Sequence, residues 1–213
     1  NLPTHGNLNE YGFDFPSFID GFERTRELPY LGDVARLECA WWRAYYAEDK
    51  QPVDPKDLAN MSADKYSKIK FELHPSVRLV RSAWPVFSIR HMALEEKNSH
   101  QSDAISAPAS PNAAIDPDER ERRAPRSEAA RPHPSGTLDI NAGGEFGIVT
   151  RPHLKTEVAQ LEESHLKFLV YLRSGHTIGE AYGKVLAKFK DFDLTGTLQK
   201  ELKRGSFTSF QLT

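Results

Sequence analysis

The chain has 213 residues, of which 38% are hydrophobic, and its formal net charge at pH 7 is −2. A charge this close to neutral does not indicate a dedicated duplex-DNA binder, which needs clustered lysine and arginine to displace counterions. The single cysteine, Cys39, excludes an intramolecular disulfide and a cysteine-rich metal site. No apolar run approaches the roughly 20 residues that span a bilayer. We expect a cytoplasmic protein with one large or two small domains.

The N-terminal part of the chain has the pattern of a small helical domain, predicted over residues 1–66. A short helix is predicted from Phe15 to Phe22 and a longer one from Pro29 to Glu48. The apolar residues of the longer helix recur at the spacing of one helix face: Leu31, Val34, Leu37, Trp41 and Tyr45. Asp54 followed by Pro55 is typical of an N-cap and first turn, and it predicts another short helix.

The pattern changes after residue 66, where apolar and polar residues alternate. Ile69, Phe71 and Leu73 predict a half-buried strand. Extended structure is expected to continue through Phe87, with Pro85 at a bulge or an edge. Residues 95–144 are then dominated by Ala, Pro, Ser, Asp, Glu and Arg, a composition that buries too little apolar surface to offset the entropy of ordering. We predict a disordered insert over 95–144.

Regular structure is predicted again from Glu145 to the C-terminus. Strands are expected over Glu145–Thr150 and Thr156–Leu161, with a hairpin connection between them. Three helices follow, and they are predicted to start near Ser164, at Thr177 with Glu180 as its capping-box partner, and at Asp193 or Thr195. Phe207–Leu212 is predicted as a terminal strand. The fold class is therefore α+β, with a winged-helix-like βββααα domain over residues 67–213.

No catalytic motif is present in the sequence. The nucleophile elbow, the paired-histidine zinc motif and the phosphate-binding loop are all absent. The eight histidines are scattered without carboxylates at ligand spacing. We predict no catalytic residue, no metal site and no bound cofactor.

The adjacent tryptophans Trp41 and Trp42 are the most unusual feature of the long helix. Neighbouring residues on a helix cannot point the same way, so one ring is expected in a core and the other on a second surface. Glu38 lies beside the apolar face, where Arg36, Arg43 or Arg78 could neutralise it. Aromatic clusters of this kind serve either as core or as interface hot spots. We predict a partner interface formed by Tyr30, Glu38, Trp41, Trp42 and Tyr45.

Several motifs resemble a known bacterial family. They are Leu8-Asn9-Glu10-Tyr11-Gly12, the Leu28–Tyr46 run, His74-Pro75-Ser76-Val77-Arg78-Leu79, Trp84-Pro85-Val86, Arg151-Pro152 and the segment from Phe168 to Ile178. This order is similar to that of the HvfC/BufC family, whose members are often labelled DNA-binding domain proteins. In that family a helical segment usually precedes this first motif, and this sequence departs from the family there, so the resemblance implies that residues 1–66 correspond to the C-terminal part of the family's N-terminal domain. The segment from Phe168 to Ile178 is also similar to PqqD-like peptide-recognition modules of ribosomal-peptide biosynthesis.

The resemblance implies a non-enzymatic function. Members of this family accompany a multinuclear non-haem iron oxidative enzyme that modifies cysteines in a ribosomal precursor peptide, often in copper-related pathways. The chain would then form a heterodimer with that enzyme and bind the leader of the peptide by β-augmentation. By analogy with the modules, the peptide-binding residues would be Thr156, Val158, Gln160 and Leu161 on a strand edge, with Leu198 and Leu202 in an adjoining groove.

A DNA-binding regulator is the alternative prediction. Five basic residues lie near the third C-terminal helix: Lys188, Lys190, Lys200, Lys203 and Arg204. Asp191, Asp193 and Glu201 lie among them and weaken a surface that would face phosphates. We therefore expect a protein and a peptide as partners, and neither nucleic acid nor a membrane.

Overall fold

A computed structural model of the chain describes residues 12–59, 61–104 and 138–213. Most of the Leu8–Gly12 motif and most of the predicted insert lie outside these residues. The chain divides into two compact units. One comprises Asn1–Phe87 with Ile140–Thr213, and the other comprises Ser88–Asp139. The predicted boundary after residue 66 falls within the first unit.

The three helices predicted in the N-terminal part are confirmed as α1 (Phe15–Gly21), α2 (Leu31–Tyr45) and α3 (Pro55–Ala59). A 3₁₀ turn (Glu23–Thr25) and a short helix, α4 (Ala63–Tyr66), complete this part. The Asp54 side chain accepts a hydrogen bond from the Lys56 N–H at 2.9 Å, as expected of an N-cap. Helix α1 packs against α2, and Arg36 of α2 forms an ion pair with Asp20 of α1.

The strands form two antiparallel sheets. They are β1 (Ile69–Leu73), β2 (Arg78–Arg81), β3 (Phe146–Thr150), β4 (Glu157–Leu161) and β5 (Phe207–Leu212). Strands β1 and β5 pair with each other, while the other three form a sheet in the order β2-β3-β4. The structure is thus a mixed α+β fold, and residues 151–156 connect β3 to β4 as the predicted hairpin.

One helix lies where the sequence predicted extended structure and then disorder. Helix α5 spans Val86–Ala104, so the prediction was wrong for Val86 and Phe87 and for residues 95–104. Pro85 immediately precedes the helix, a position where a residue without an N–H is tolerated. The buried Glu145 carboxylate accepts a hydrogen bond from the Phe87 N–H at 2.7 Å and satisfies one donor of the first turn. The second compact unit contains the rest of this helix, whose Ala, Leu, Glu and Lys residues at 93–97 are strong helix formers.

Three helices follow β4, as the sequence predicted. They are α6 (Glu163–Arg173), α7 (Ile178–Leu186) and α8 (Leu194–Arg204). Thr177 and Glu180 form the predicted capping box at the start of α7. Asp193 is the N-cap of α8, and Gly205 ends that helix in the left-handed conformation with φ of 77°.

The three-stranded sheet carries apolar side chains on both faces. Val80 and Val149 project from one face into a cluster with Leu37 and Ala44 of α2. Ile148 projects from the other face into the larger core, which also contains residues of α6, α7, β1 and β5. Because side chains alternate along each strand, α2 covers one face while the larger core covers the other. This arrangement leaves the edges of the sheet as the places where backbone groups can be unpaired.

Candidate functional site

Strand β4 is an edge of the three-stranded sheet. It pairs with β3 along its whole length, from Thr150 opposite Glu157 to Phe146 opposite Leu161. Within the described parts of the chain, no strand pairs with its other side. An unpaired strand edge offers a row of N–H and C=O groups to another extended chain.

The close approach of Gly147 to β4 shows which backbone groups face outward. A β-carbon at Gly147 would lie 2.5 Å from the carbonyl oxygen of Ala159, so that carbonyl points toward β3. In an antiparallel ladder, the N–H and C=O of one residue point to the same side, and successive residues alternate. The N–H and C=O groups of Val158 and Gln160 therefore point away from β3, at the open edge.

The predicted β4 residues differ in how their side chains are placed. Val158 is half-buried and packs on the cluster beneath α2, whereas Leu161 packs on the larger core. Gln160 is exposed. Thr156 lies just before β4, and its buried hydroxyl has no hydrogen-bond partner among the described residues. All four therefore lie on β4 or directly before it.

Leu198 and Leu202 lie elsewhere, on the wall of an apolar cavity of about 500 Å³. Its lining residues are Pro55, Leu58, Tyr66, Ser67, Phe71, Ile178, Gly179, Tyr182, Leu194, Thr195, Leu198, Gln199 and Leu202. They come from α3, α7, α8 and the region of α4 and β1, and none belongs to β4. The structure therefore divides the predicted peptide site into a strand edge and a separate cavity, because α8 packs beside α3 and α7.

The two tryptophans of α2 point in different directions, as predicted. Trp41 is half-buried and packs on the cluster that contains Val149, whereas Trp42 is 48% exposed. Their ring planes are 87° apart at a centroid distance of 5.4 Å. Tyr45 stacks on Trp41 at 5.3 Å, and Tyr46 stacks on Trp42 at 5.7 Å. The cluster thus consists of two stacked pairs. The Trp41–Tyr45 pair joins the buried cluster through Trp41, and both rings of the Trp42–Tyr46 pair are exposed.

The other two predicted interface residues flank this cluster. Tyr30 is the N-cap residue of α2 and is half-buried, as is Glu38. Arg36, one of the cations suggested for Glu38, instead forms ion pairs with Asp20 and Asp33. The hydrogen bond to Asp20 is the main cause that raises the pKa of Arg36.

Two arginines cap the C-terminal end of α2, a feature that sequence reasoning missed. Arg78 of β2 donates to the Arg43 carbonyl at 3.3 Å. Arg151, which follows β3 and is 8% exposed, donates from Nε to the Ala44 carbonyl at 3.1 Å and from a terminal nitrogen to the Ala47 carbonyl at 2.6 Å. Cations at this end complement the helix dipole and satisfy carbonyls without intrahelical partners. The contacts of Arg78 and Arg151 therefore hold α2 on the sheet.

His74 belongs to the same region and is almost fully buried. Its Nδ1 lies 2.8 Å from Ser76 Oγ, which in turn accepts from the Arg151 N–H at 2.7 Å. Burial is the main cause that lowers the pKa of His74. The His-Pro-Ser and Arg-Pro motifs, distant in sequence, therefore form one hydrogen-bonded network.

A second buried network joins α8 to α6. The Glu201 carboxylate is fully buried and accepts a hydrogen bond from the Ser206 hydroxyl at 2.5 Å. Its Oε1 atom lies 2.9 Å from Nε2 of His165, but the two groups are not aligned for a hydrogen bond. Burial acts to raise the pKa of Glu201, but His165, Arg204 and Ser206 outweigh it and hold the pKa below its ordinary value. The hydroxyl and the imidazole both face the carboxylate rather than each other, unlike a nucleophile and its base. The network fixes the position of α8.

In the described ranges, no group of three or more His, Cys, Asp or Glu side chains could hold a metal ion. None of the helices in those ranges is long and apolar enough to cross a bilayer. The chain matches no family model, and comparisons with curated proteins and solved structures found no similar chain.

Proposed function

We propose that this chain is a non-catalytic partner protein that binds a ribosomal precursor peptide and presents it to a multinuclear non-haem iron oxidative enzyme. The observation that supports it most is the open edge of β4, where the Val158 and Gln160 backbone groups face outward. Strand addition at such an edge gives affinity through main-chain hydrogen bonds, while neighbouring pockets give specificity. The complex would form in the cytoplasm, where precursor peptides are made, in a copper-related pathway.

The order of the elements also favours peptide recognition. Strands β2, β3 and β4 form an antiparallel sheet, and α6, α7 and α8 follow in sequence. This is the βββααα order of the winged-helix-like recognition modules, with α5 between the first two strands. Similar topology alone supports a fold more than a function, so the proposal depends on the edge itself.

The solvent-facing pair Trp42 and Tyr46 is the part of α2 that we assign to the enzyme. Trp42 is 48% exposed and Tyr46 is 50% exposed, and exposed clustered aromatics are typical of interface hot spots. Neither ring belongs to a buried cluster, so a partner can cover them without disturbing the core.

DNA binding is less well supported by the geometry. Helix α8 would have to enter a groove, but it directs Leu198 and Leu202 into an apolar cavity, and Glu201 is fully buried. Lys200 and Lys203 are exposed on this helix, but the exposed Asp191 and Asp193 precede them in the sequence, so the charges of this segment are mixed. A duplex gel-shift series against salt would reveal a DNA binder by affinity that falls steeply as salt rises.

The enzyme interface is tested by co-purification with a multinuclear non-haem iron oxidative enzyme encoded in the same genome. We expect the wild-type chain to form a stable complex and Trp42→Ala to weaken it by about tenfold or more, because truncating a central aromatic anchor costs above about 1 kcal/mol. Leu212→Ala, at a residue of similar exposure (49%) on β5, is the control and should leave the complex intact. No complex with the wild-type chain, or equal losses for both variants, would contradict the enzyme-partner assignment.

A further inference from the structure

We propose that Trp41 and Tyr45 form a side-chain subsite for the guest peptide at the β4 edge, one that selects an aromatic or large aliphatic residue. This inference rests on the proposed function and specifies which peptides the edge would accept. Trp41 and Tyr45, which the sequence analysis assigned to the enzyme interface, would then contact the peptide instead.

The orientation of α2 on the sheet places this pair on the β4 side. Ser82, which follows β2 directly, donates a hydrogen bond from Oγ to the Asp33 carboxylate at 2.6 Å. Arg36, next to Asp33 on the helix surface, forms an ion pair with Asp20 of α1. These contacts fix one flank of α2 over β2. Arg36 and Tyr45 are nine positions apart, or about two and a half turns at 3.6 residues per turn, so they project from opposite flanks. Tyr45 and its neighbour Trp41 therefore lie toward β4.

Packing in the core agrees with this orientation. Trp41 and Val158 pack on the same buried cluster, which contains Val149, the β3 residue paired with Val158. Tyr45 extends this surface outward, since its ring lies nearly parallel to that of Trp41, with an interplanar angle of 11°. Tyr45 is 46% exposed, so part of its ring is available beside the strand edge.

A strand added at this edge would bring its own side chains to the pair. Strands lie about 4.8 Å apart, and side chains alternate between the two faces of a sheet. A guest residue opposite Val158 would therefore direct its side chain to the α2 face, beside the surface to which Trp41 and Tyr45 belong. Aromatic rings stack favourably on such a surface, and large aliphatic side chains bury apolar area there.

The experiment selects peptides from a phage-displayed library of random short peptides against the wild-type chain and against Tyr45→Ala. We expect wild-type selection to enrich an aromatic or large aliphatic residue at one position of the binding segment, and Tyr45→Ala to lose that preference. For the tightest peptide, Tyr45→Ala should weaken binding by about tenfold, because clustered aromatics at an interface each contribute on the order of a tenfold change in affinity. Tyr46→Ala, at the neighbouring residue of similar exposure whose ring stacks on Trp42 and not on Trp41, should change it by less than about twofold.

A double-mutant cycle completes the test, with alanine replacing the enriched residue of the peptide. That replacement should weaken binding to the wild-type chain but have little further effect on Tyr45→Ala. If peptides bind and Tyr45→Ala keeps both the affinity and the preference, or Tyr46→Ala weakens binding equally, the subsite is refuted while peptide binding stands. If no library peptide binds the wild-type chain, the proposed peptide function fails and the subsite fails with it.

Discussion

Replacing Arg151 by methionine is expected to lower the free energy of unfolding by about 2–4 kcal/mol, because it removes two charge-assisted hydrogen bonds to buried or partly buried carbonyls. The Arg151 guanidinium donates to the Ala44 and Ala47 carbonyls and forms an ion pair with Asp49 at 2.7 Å. Methionine keeps much of the volume of the side chain but supplies no donor. The last turn of α2 would then lose its attachment to the end of β3. Urea denaturation followed by circular dichroism measures the change.

Arg43→Met is the matched control for this substitution. Arg43 also lies near the C-terminal end of α2, and its exposed guanidinium stacks over the Phe13 ring at 4.3 Å. Loss of an exposed cation–π contact costs about 0.5–1 kcal/mol. Equal destabilisation by the two substitutions would show that the carbonyl contacts of Arg151 do not anchor the helix.

Val158→Pro is expected to weaken peptide binding by about tenfold or more, and to lower the unfolding free energy by only about 1–2 kcal/mol, because the half-buried Val158 side chain loses packing on the cluster beneath α2. Proline has no N–H, so it removes a donor that faces the open edge, and its ring blocks close approach of a guest strand. The native ladder keeps its hydrogen bonds, because the backbone groups of Val158 point away from β3. Proline at an edge position of this kind is tolerated in natural sheets.

Two variants separate this effect from general damage to β4. Ala159→Pro removes an N–H that points toward β3, so it should destabilise the fold by about 3 kcal/mol. Gln160→Ala keeps the backbone and should bind the peptide selected from the random library within about twofold of wild type. Affinities come from fluorescence anisotropy and stabilities from denaturation. Unchanged affinity in a folded Val158→Pro variant would place the peptide elsewhere.

Local signals in the sequence predicted most of the elements. The Thr177 capping box, the Asp193 and Asp54 caps and Gly205 each act within a few residues, so their effects can be recognised without the tertiary structure. The prediction was wrong at α5, where Pro85 was interpreted as a bulge. The side chain that caps the first turn of that helix, Glu145, lies 58 residues further along the chain.

Long-range placement explains why the candidate site was only partly predicted. The analogy with peptide-recognition modules suggested an edge at β4 and a groove beside α8, but it could not show that α8 faces a cavity bounded by α3 and α7 instead of β4. The spacing of Trp41 and Trp42 predicted one buried and one exposed ring. The contacts of Asp33 and Arg36 with residues of other elements determine which flank of α2 lies toward β4. No local sequence pattern predicts these contacts.

Amide hydrogen exchange along β4 tests strand addition most directly. In the free protein, the Ala159 amide should be protected, while the Val158 and Gln160 amides should exchange quickly. Saturation with the tightest peptide from the random library should slow exchange at Val158 and Gln160 and leave Ala159 as it was. Rapid exchange at both positions in the peptide complex, or protection of both before any peptide is added, would contradict a guest strand at this edge.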